Sequence, residues 1–388
     1  MDSGTRIAGR TSVHLDLIRG VSAIAVMLYH LRGLFFVDFP FLIDKSLVSA
    51  GLYAVTGYGH QAVMVFFVLS GYFIGANVMN RVGKGQWTWR HYLVNRLTRL
   101  YLVLFPALVL GAVWDQIGMR IPQAASFYYG GLYKFYSPSV SLRSTIPVFL
   151  GNLFFLQSFV SPVFGSNGPL WSLSYEFWYY IVFPACVLAA AAWPGIRNRA
   201  AYLVLTVFLL WFVGPQISLY FLIWLMGALV SRLRRATVLV APRTQLVFSM
   251  GTGLIFFGVL AWNRTHRFPS EFVTDSAMGS CFALWLYAIV LGSRDDVSSA
   301  YATVAKKLSG FSYTLYVTHF PALLLLRGLL DPKGSWQPDP RHLLYALGIA
   351  LLMLIYSYLV AKFTEARTAS VRRRLRQPWM PRTKEIAR

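Results

Sequence analysis

Acidic residues are scarce in this 388-residue chain: 14 Asp and Glu stand against 36 Lys and Arg, a net charge of +22 with histidine neutral. Charge of either sign is scarce too, at 13% of residues, roughly half the ~25% usual for a soluble domain. That shortage excludes a soluble enzyme, which needs more polar surface, and the high hydrophobicity excludes a disordered chain. Cysteine is nearly missing. Cys186 and Cys281 both fall in apolar segments, so no disulfide framework, CxxC motif or metal-ligand cluster is expected. A cleavable signal peptide is not expected either. Residues 1–12 are polar, with Arg6 and Arg10, and the apolar stretch 15–37 that follows is too long for a signal core and lacks a small-residue cleavage site. No internal repeat and no appended soluble catalytic domain is visible.

What is present is apolar and aromatic: 56% hydrophobic residues, and 16% Phe, Trp and Tyr. Crossing the hydrocarbon core takes ~20 mostly apolar residues. Segments 15–37, 60–79, 97–117, 171–193, 200–213, 215–231, 245–262, 275–292, 310–330 and 342–363 meet that test, roughly. The expected fold is therefore all-α: a polytopic membrane bundle of about ten helices, with residues 1–366 as the membrane domain and 367–388 as a basic tail. The pair at 200–231, broken only by Gly214-Pro215, reads as a tight hairpin or one kinked helix. The stretch 146–160 reads as a re-entrant or interfacial piece, with an eleventh span as the alternative.

Ten spans put both termini on one side, and the basic residues choose which. With that side cytoplasmic, 26 of the 36 Lys and Arg lie in cytoplasmic regions, as the positive-inside rule requires. The basic residues sit in short stretches between apolar segments, so the lipid bilayer is an expected partner and nucleic acid is not. The two larger outer loops, 38–59 and 118–170, are the places for extracytoplasmic contacts.

Ionisable residues inside spans are functional candidates, because burying them is costly. The first span, HLDLIRGVSAIAVMLYH, holds Asp16, Arg19 and His30. Eleven residues make about three helical turns, so Arg19 and His30 share a face ~16 Å apart, and Asp16 lies one turn before Arg19. Ser70 and Gly71, in HQAVMVFFVLSGYFIG, mark either a small-residue packing seam or part of a donor site. Arg96 and Arg99, in NRLTRLYLVLFP, lie one turn apart. They serve as positive-inside anchors or as a clamp for an anionic ligand. Glu176 stands in GPLWSLSYEFWYYIVFP among Trp171, Tyr175, Trp178, Tyr179 and Tyr180, where a carboxylate must pair, hold a proton or work. His319, in SYTLYVTHFP, is either a core histidine bonded to another helix or a reacting group.

Together these residues resemble the acyltransferase family 3 of integral-membrane acyltransferases. The resemblance runs from His14 to about Arg367. It rests on the order of Arg19-x10-His30, FFVLSG at 66–71, RLTRLY at 96–101, LWSLSYEFWYY at 170–180, SYTLYVTH at 312–319 and the closing FTEAR with Glu365. The chain departs from the family where a Gly-Val-Asp-Leu lead into FFVLSG is replaced by Ala62-Val63-Met64-Val65.

The resemblance implies O-acylation, by default O-acetylation, of a carbohydrate or glycolipid acceptor. The implied donor is cytoplasmic acyl-CoA, normally acetyl-CoA, with no metal. On this expectation Arg19, Arg96, Arg99 and Ser70 hold the donor. His30 is the general base or a transient acyl carrier, with Glu176 or His319 on the acceptor side. Trp171, Tyr175 and Trp178 offer stacking surface to a sugar. The implied location is the cytoplasmic (inner) membrane, and a homo-oligomer is compatible with the sequence. The other readings are a glycan-precursor transporter without acyl-transfer chemistry and a scaffold in a glycan-synthesis complex.

The charge partition generates a topology test. A cysteine introduced in 81–95 or 232–243 is expected to be shielded from an impermeant thiol reagent added to intact cells, while one in 38–59 reacts. Equal labelling of both classes would remove the ten-span arrangement.

Overall fold

A computed structural model describes residues 9–130, 139–191, 195–233, 241–265, 270–291, 298–331 and 334–376. The protein is all-helical, 85% helix, with no strands among the described residues. Each of the ten expected segments is a helix. They are α1 (Gly9–Phe35), α2 (Gly59–Gly83), α3 (Trp89–Arg120), α4 (Trp171–Ala190), α5 (Gly195–Phe212), α6 (Gly214–Leu233), α7 (Pro242–Thr265), α8 (Glu271–Leu291), α9 (Ser312–Leu330) and α10 (Pro340–Phe363).

Nine of these are long and apolar enough to cross a membrane. The exception is α5, whose first turn carries Arg197 and Arg199 and so lowers its apolar content. Gly214 separates α5 from α6 with φ +82°, a left-handed conformation that suits glycine. The 200–231 pair is therefore two helices and not one kinked helix. The 146–160 stretch contains only the eight-residue helix Ile146–Leu153, which at 1.5 Å per residue reaches ~12 Å and cannot span. Of the tail, Thr368–Arg376 is helical, and residues beyond 376 lie outside the described ones.

α9 is the most enclosed of the nine spans, and it packs against α1, α3 and α10. By contrast α7 and α10 bury little of their apolar length and present it to lipid. Glu365, just after α10, accepts from Thr314 N (3.1 Å) and Thr314 Oγ1 (3.0 Å) at the start of α9. A carboxylate there satisfies free N–H groups and complements the helix dipole. The closing FTEAR motif thereby fixes one end of the central helix.

α2 and α6 meet along a seam of small residues. A Cβ on Gly71 would stand 1.9 Å from Trp224 O, and one on Gly227 would stand 1.8 Å from Val68 O. Such backbone approach is open only to glycine, and it is how helices gain contact where lipid offers no hydrophobic drive. The packing reading of Ser70-Gly71 is thus realised at Gly71.

Gly227→Ala is expected to lower the melting temperature in detergent, through an overpacking cost of about 1–3 kcal/mol or more. Gly258→Ala, on α7 where nothing lies within 4 Å of the added carbon, should leave it unchanged or slightly higher. Equal melting of the two variants would show that the seam is not tight.

Candidate active site

Among the described residues, two cavities in the bundle are bordered by the candidate residues. The smaller, the arginine chamber, is lined by Arg19, Ser70, Arg96, Arg99, Glu176, Tyr180, Ser312 and Tyr313. The larger, the histidine chamber, is lined by Tyr29, His30, His60, Arg143, Trp171 and Phe320 among others. Tyr316 belongs to both walls.

In the histidine chamber, His30 Nδ1 lies 2.9 Å from His319 Nε2, and His319 Nδ1 lies 2.8 Å from Leu315 O. A carbonyl oxygen can only accept, so the proton of His319 sits on Nδ1 and its Nε2 is a bare acceptor. The proton of His30 must then sit on Nδ1, which leaves the lone pair on Nε2. No side chain among the described residues bonds that nitrogen. The Leu315 carbonyl, acting through two rings, thus favours the His30 tautomer whose Nε2 is a base, and the Val26 carbonyl of α1 also bonds the His30 ring. His319 is fully buried.

The chain is held around this pair by local necessity. Pro321, two residues after His319, has no N–H to give to Val317 O one turn back. Asn167 Nδ2 donates to Val317 O instead, at 2.8 Å. The loop bearing Asn167 is itself pinned by buried Asp115, which accepts from Ser166 N (2.8 Å) and Ser166 Oγ (2.5 Å). From there the chain enters α4 and delivers Trp171.

Tyr316 is fixed equally firmly. Its hydroxyl donates to Pro169 O (2.9 Å) and, its one proton being used, accepts from Ser172 Oγ (2.7 Å). Its ring meets Phe66 edge-on.

The arginine chamber gathers groups from five helices. Arg19 pairs with Asp16 at 3.5 Å, as the one-turn spacing implied, and donates to Ser309 O at 3.3 Å. Arg19 is also within electrostatic reach of Arg99, Glu365 and Glu176. Arg96 lies over the rings of Tyr92 and Tyr180. The Nε groups of Arg19 and Arg96 are buried and have no partner among the described residues. Buried donors of that kind call for an anionic or carbonyl oxygen. Glu176 accepts from Tyr180 OH and from Ser70 Oγ, the latter at 3.3 Å, and Ser70 accepts from Trp224 Nε1 at 3.2 Å.

The expected site residues are therefore sorted into two groups. Arg19, Arg96, Arg99 and Ser70 do come together. Glu176, expected beside the acceptor, joins them and not His30, because α4 turns it toward α2 and α3. Trp171 lines the histidine chamber. Tyr175 is buried in an aromatic stack with Phe67. Trp178 donates to Phe155 O (2.9 Å) and packs on Phe159 and Phe212. Tyr175 and Trp178 are thus packing residues that line neither cavity.

Three residues escaped sequence reasoning: Tyr316, His60 and Asp275. His60 and Asp275 carried a usable signal, since each is an ionisable group inside an apolar segment. Met64, where the family pattern has its acidic residue, is buried.

The acyltransferase domain family matches residues 13–362, nearly the whole chain. The chain belongs to the acyltransferase 3 family. A comparison with curated proteins gives no match, and a comparison with solved structures gives none. Membership makes the protein a membrane acyltransferase, and the two chambers are where its chemistry has room.

Removing the His319 imidazole would take from the His30 Nδ1–H its side-chain acceptor, leaving the ring only the Val26 carbonyl of its own helix. In an enclosed site that costs about 1–3 kcal/mol, or roughly 5- to 150-fold in rate. His319→Ala is expected to lose transferase activity by that order in folded protein. His319→Gln, whose side-chain oxygen can accept the same proton, should recover part of it. Equal activity of the two variants would show that the hydrogen bond to His30 is idle.

Proposed function

We propose that the protein transfers an acyl group, by default acetyl, from acyl-CoA to a hydroxyl of a carbohydrate or glycolipid acceptor. The observation that carries this reading is the placement of the two chambers back to back across Tyr316. One offers unpartnered arginine donors, and the other an imidazole with a free lone pair. An anionic carrier such as CoA fits the first. Arg96, Arg99 and Arg19 bind its phosphates by charge and paired N–H donors, while its flexible arm covers the ~16 Å of α1 between Arg19 and His30.

His30 Nε2 takes the proton of the acceptor hydroxyl as the oxygen attacks the thioester carbonyl. The new C–O bond forms, the C–S bond breaks, and the CoA thiolate leaves with the proton returned by the imidazolium. Trp171 supplies a flat apolar face for a sugar ring. No step calls for a metal. On the charge partition, the arginine chamber opens to the cytoplasm of the inner membrane and the histidine chamber to the opposite side.

Purified protein supplied with isotopically labelled acetyl-CoA tests the reaction type, because transport without chemistry consumes no thioester. Loss of one acyl mass from the glycans of a deletion strain would give the acceptor. His30→Gln keeps hydrogen-bonding capacity but cannot take a proton at neutral pH. It is expected to fold, bind acetyl-CoA and lose transfer by about 10²–10⁴. Arg96→Ala combined with Arg99→Ala should instead weaken acetyl-CoA binding. Near-parental transfer in His30→Gln would remove His30 from the mechanism, and unchanged donor binding in the double variant would leave the arginines as topology anchors.

A further inference from the structure

The histidine chamber contains a second imidazole with different wiring. α1 and α2 touch at Tyr29 and Gly59, where a Cβ on the glycine would stand 2.5 Å from Tyr29 Cβ. The next residue on each helix is a chamber histidine, His30 on α1 and His60 on α2. His60 Nε2 lies 2.8 Å from Asp275 Oδ2 of α8, and Tyr220 OH of α6 donates to the same oxygen at 2.7 Å. Exposed Glu271 Oε1 stands farther off, 3.7 Å from His60 Nε2.

Asp275 is 1% exposed, and its Oδ1 has no partner. A carboxylate buried among apolar spans is costly and is a functional candidate by default. As an ionised acceptor it takes the Nε2 proton of His60, and in the neutral imidazole the lone pair is then on Nδ1. Nδ1 takes no hydrogen bond among the described residues. His60 lies parallel to Trp171, with ring centroids 6.0 Å apart and planes 14° apart, so the aromatic face and the free nitrogen are presented together.

Resting on the acyl-transfer reading above, we infer that His60 is an acceptor-binding group and Asp275 its positioning residue. His60 Nδ1 accepts a hydrogen bond from a second hydroxyl of the acceptor while His30 Nε2 deprotonates the reacting one. The site then selects polyols over simple alcohols. A site built to bond a hydroxyl discriminates against an analogue without it, whereas a base alone has no such preference.

Two probes that differ by one hydroxyl, 1,2-octanediol and 1-octanol, test this with the purified full chain and labelled acetyl-CoA. The parent protein should show kcat/KM for the diol at least roughly tenfold above that for octanol. His60→Phe keeps a ring beside Trp171 but has no nitrogen, and it should bring that ratio near one, chiefly through the KM for the diol. Asp275→Asn should do the same in part. Because the readout is a ratio within one preparation, partial unfolding cannot mimic it.

A parent protein that uses the diol no better than octanol overturns the inference, as does a ratio that survives in His60→Phe. Activity lost to a chelator and restored by zinc would make His60, Asp275 and Glu271 metal ligands, and would overturn it too. A parent protein that consumes no acetyl-CoA fails the acyl-transfer reading itself, which is visible before any variant is made.

Discussion

Two imidazoles meet inside an apolar bundle, and the hydrogen bonds around them arrange their protons. Leu315 O takes the Nδ1 proton of His319, His319 Nε2 takes the Nδ1 proton of His30, and His30 Nε2 is left open. A hydroxyl or amide in place of His319 could turn its donor and acceptor around. An imidazole anchored to a carbonyl cannot. The arrangement needs α9 to be held still, and much of the fold serves that end. Glu365 caps its start, Asn167 bonds the carbonyl that Pro321 leaves open, and Arg327 Nε donates to Leu34 O near its other end. The central helix is thus tied at both ends and in the middle to α1, α10 and the loop before α4.

Membrane packing explains why those ties are polar. Between helices in lipid, apolar contact gives little net drive, so association depends on close backbone approach and on buried hydrogen bonds. The α2–α6 seam supplies the first through Gly71 and Gly227. The Asp115–Ser166, Asp275–Tyr220 and Glu365–Thr314 bonds supply the second. The carboxylates occupy separate places in the bundle, and each joins chain segments that are distant in sequence. Polar groups that organise a soluble core sparingly are here the main source of register between helices.

Much of this was legible in the sequence. Ten apolar segments became ten helices, and Arg19 and His30, three turns apart on α1, line different chambers. What periodicity within a helix cannot reveal is rotation between helices. His30 and His319 are 289 residues apart, and nothing local states that their rings meet. Glu176 shows the same limit, since its surroundings marked it as unusual without saying which chamber it would face. Trp178 was expected at a sugar, and an aromatic beside a functional block looks alike in sequence whether it faces a cavity or, as here, the loop at Phe155. His60 and Asp275 were readable as intramembrane ionisable groups, yet each was overshadowed by the stronger motif beside it.

On the proposed reading, the wall at Tyr316 has a chemical consequence. A thioester held near a free imidazole and water would be hydrolysed, because a base that activates a sugar hydroxyl activates water as well. Keeping anion binding in one chamber and the base in another limits exposure of the thioester to the moment its arm passes Tyr316. That side chain is held on one side by Pro169 O and Ser172 and on the other by Phe66. It therefore stands as a fixed wall between the two chambers. Pro169 and Ser172 flank Trp171, the aromatic face of the histidine chamber. A ring settling on Trp171 thus acts on the same short stretch that holds Tyr316 in place. Pro169, Trp171, Ser172 and Tyr316 thus place the acceptor face and the wall between the chambers on one short, hydrogen-bonded unit.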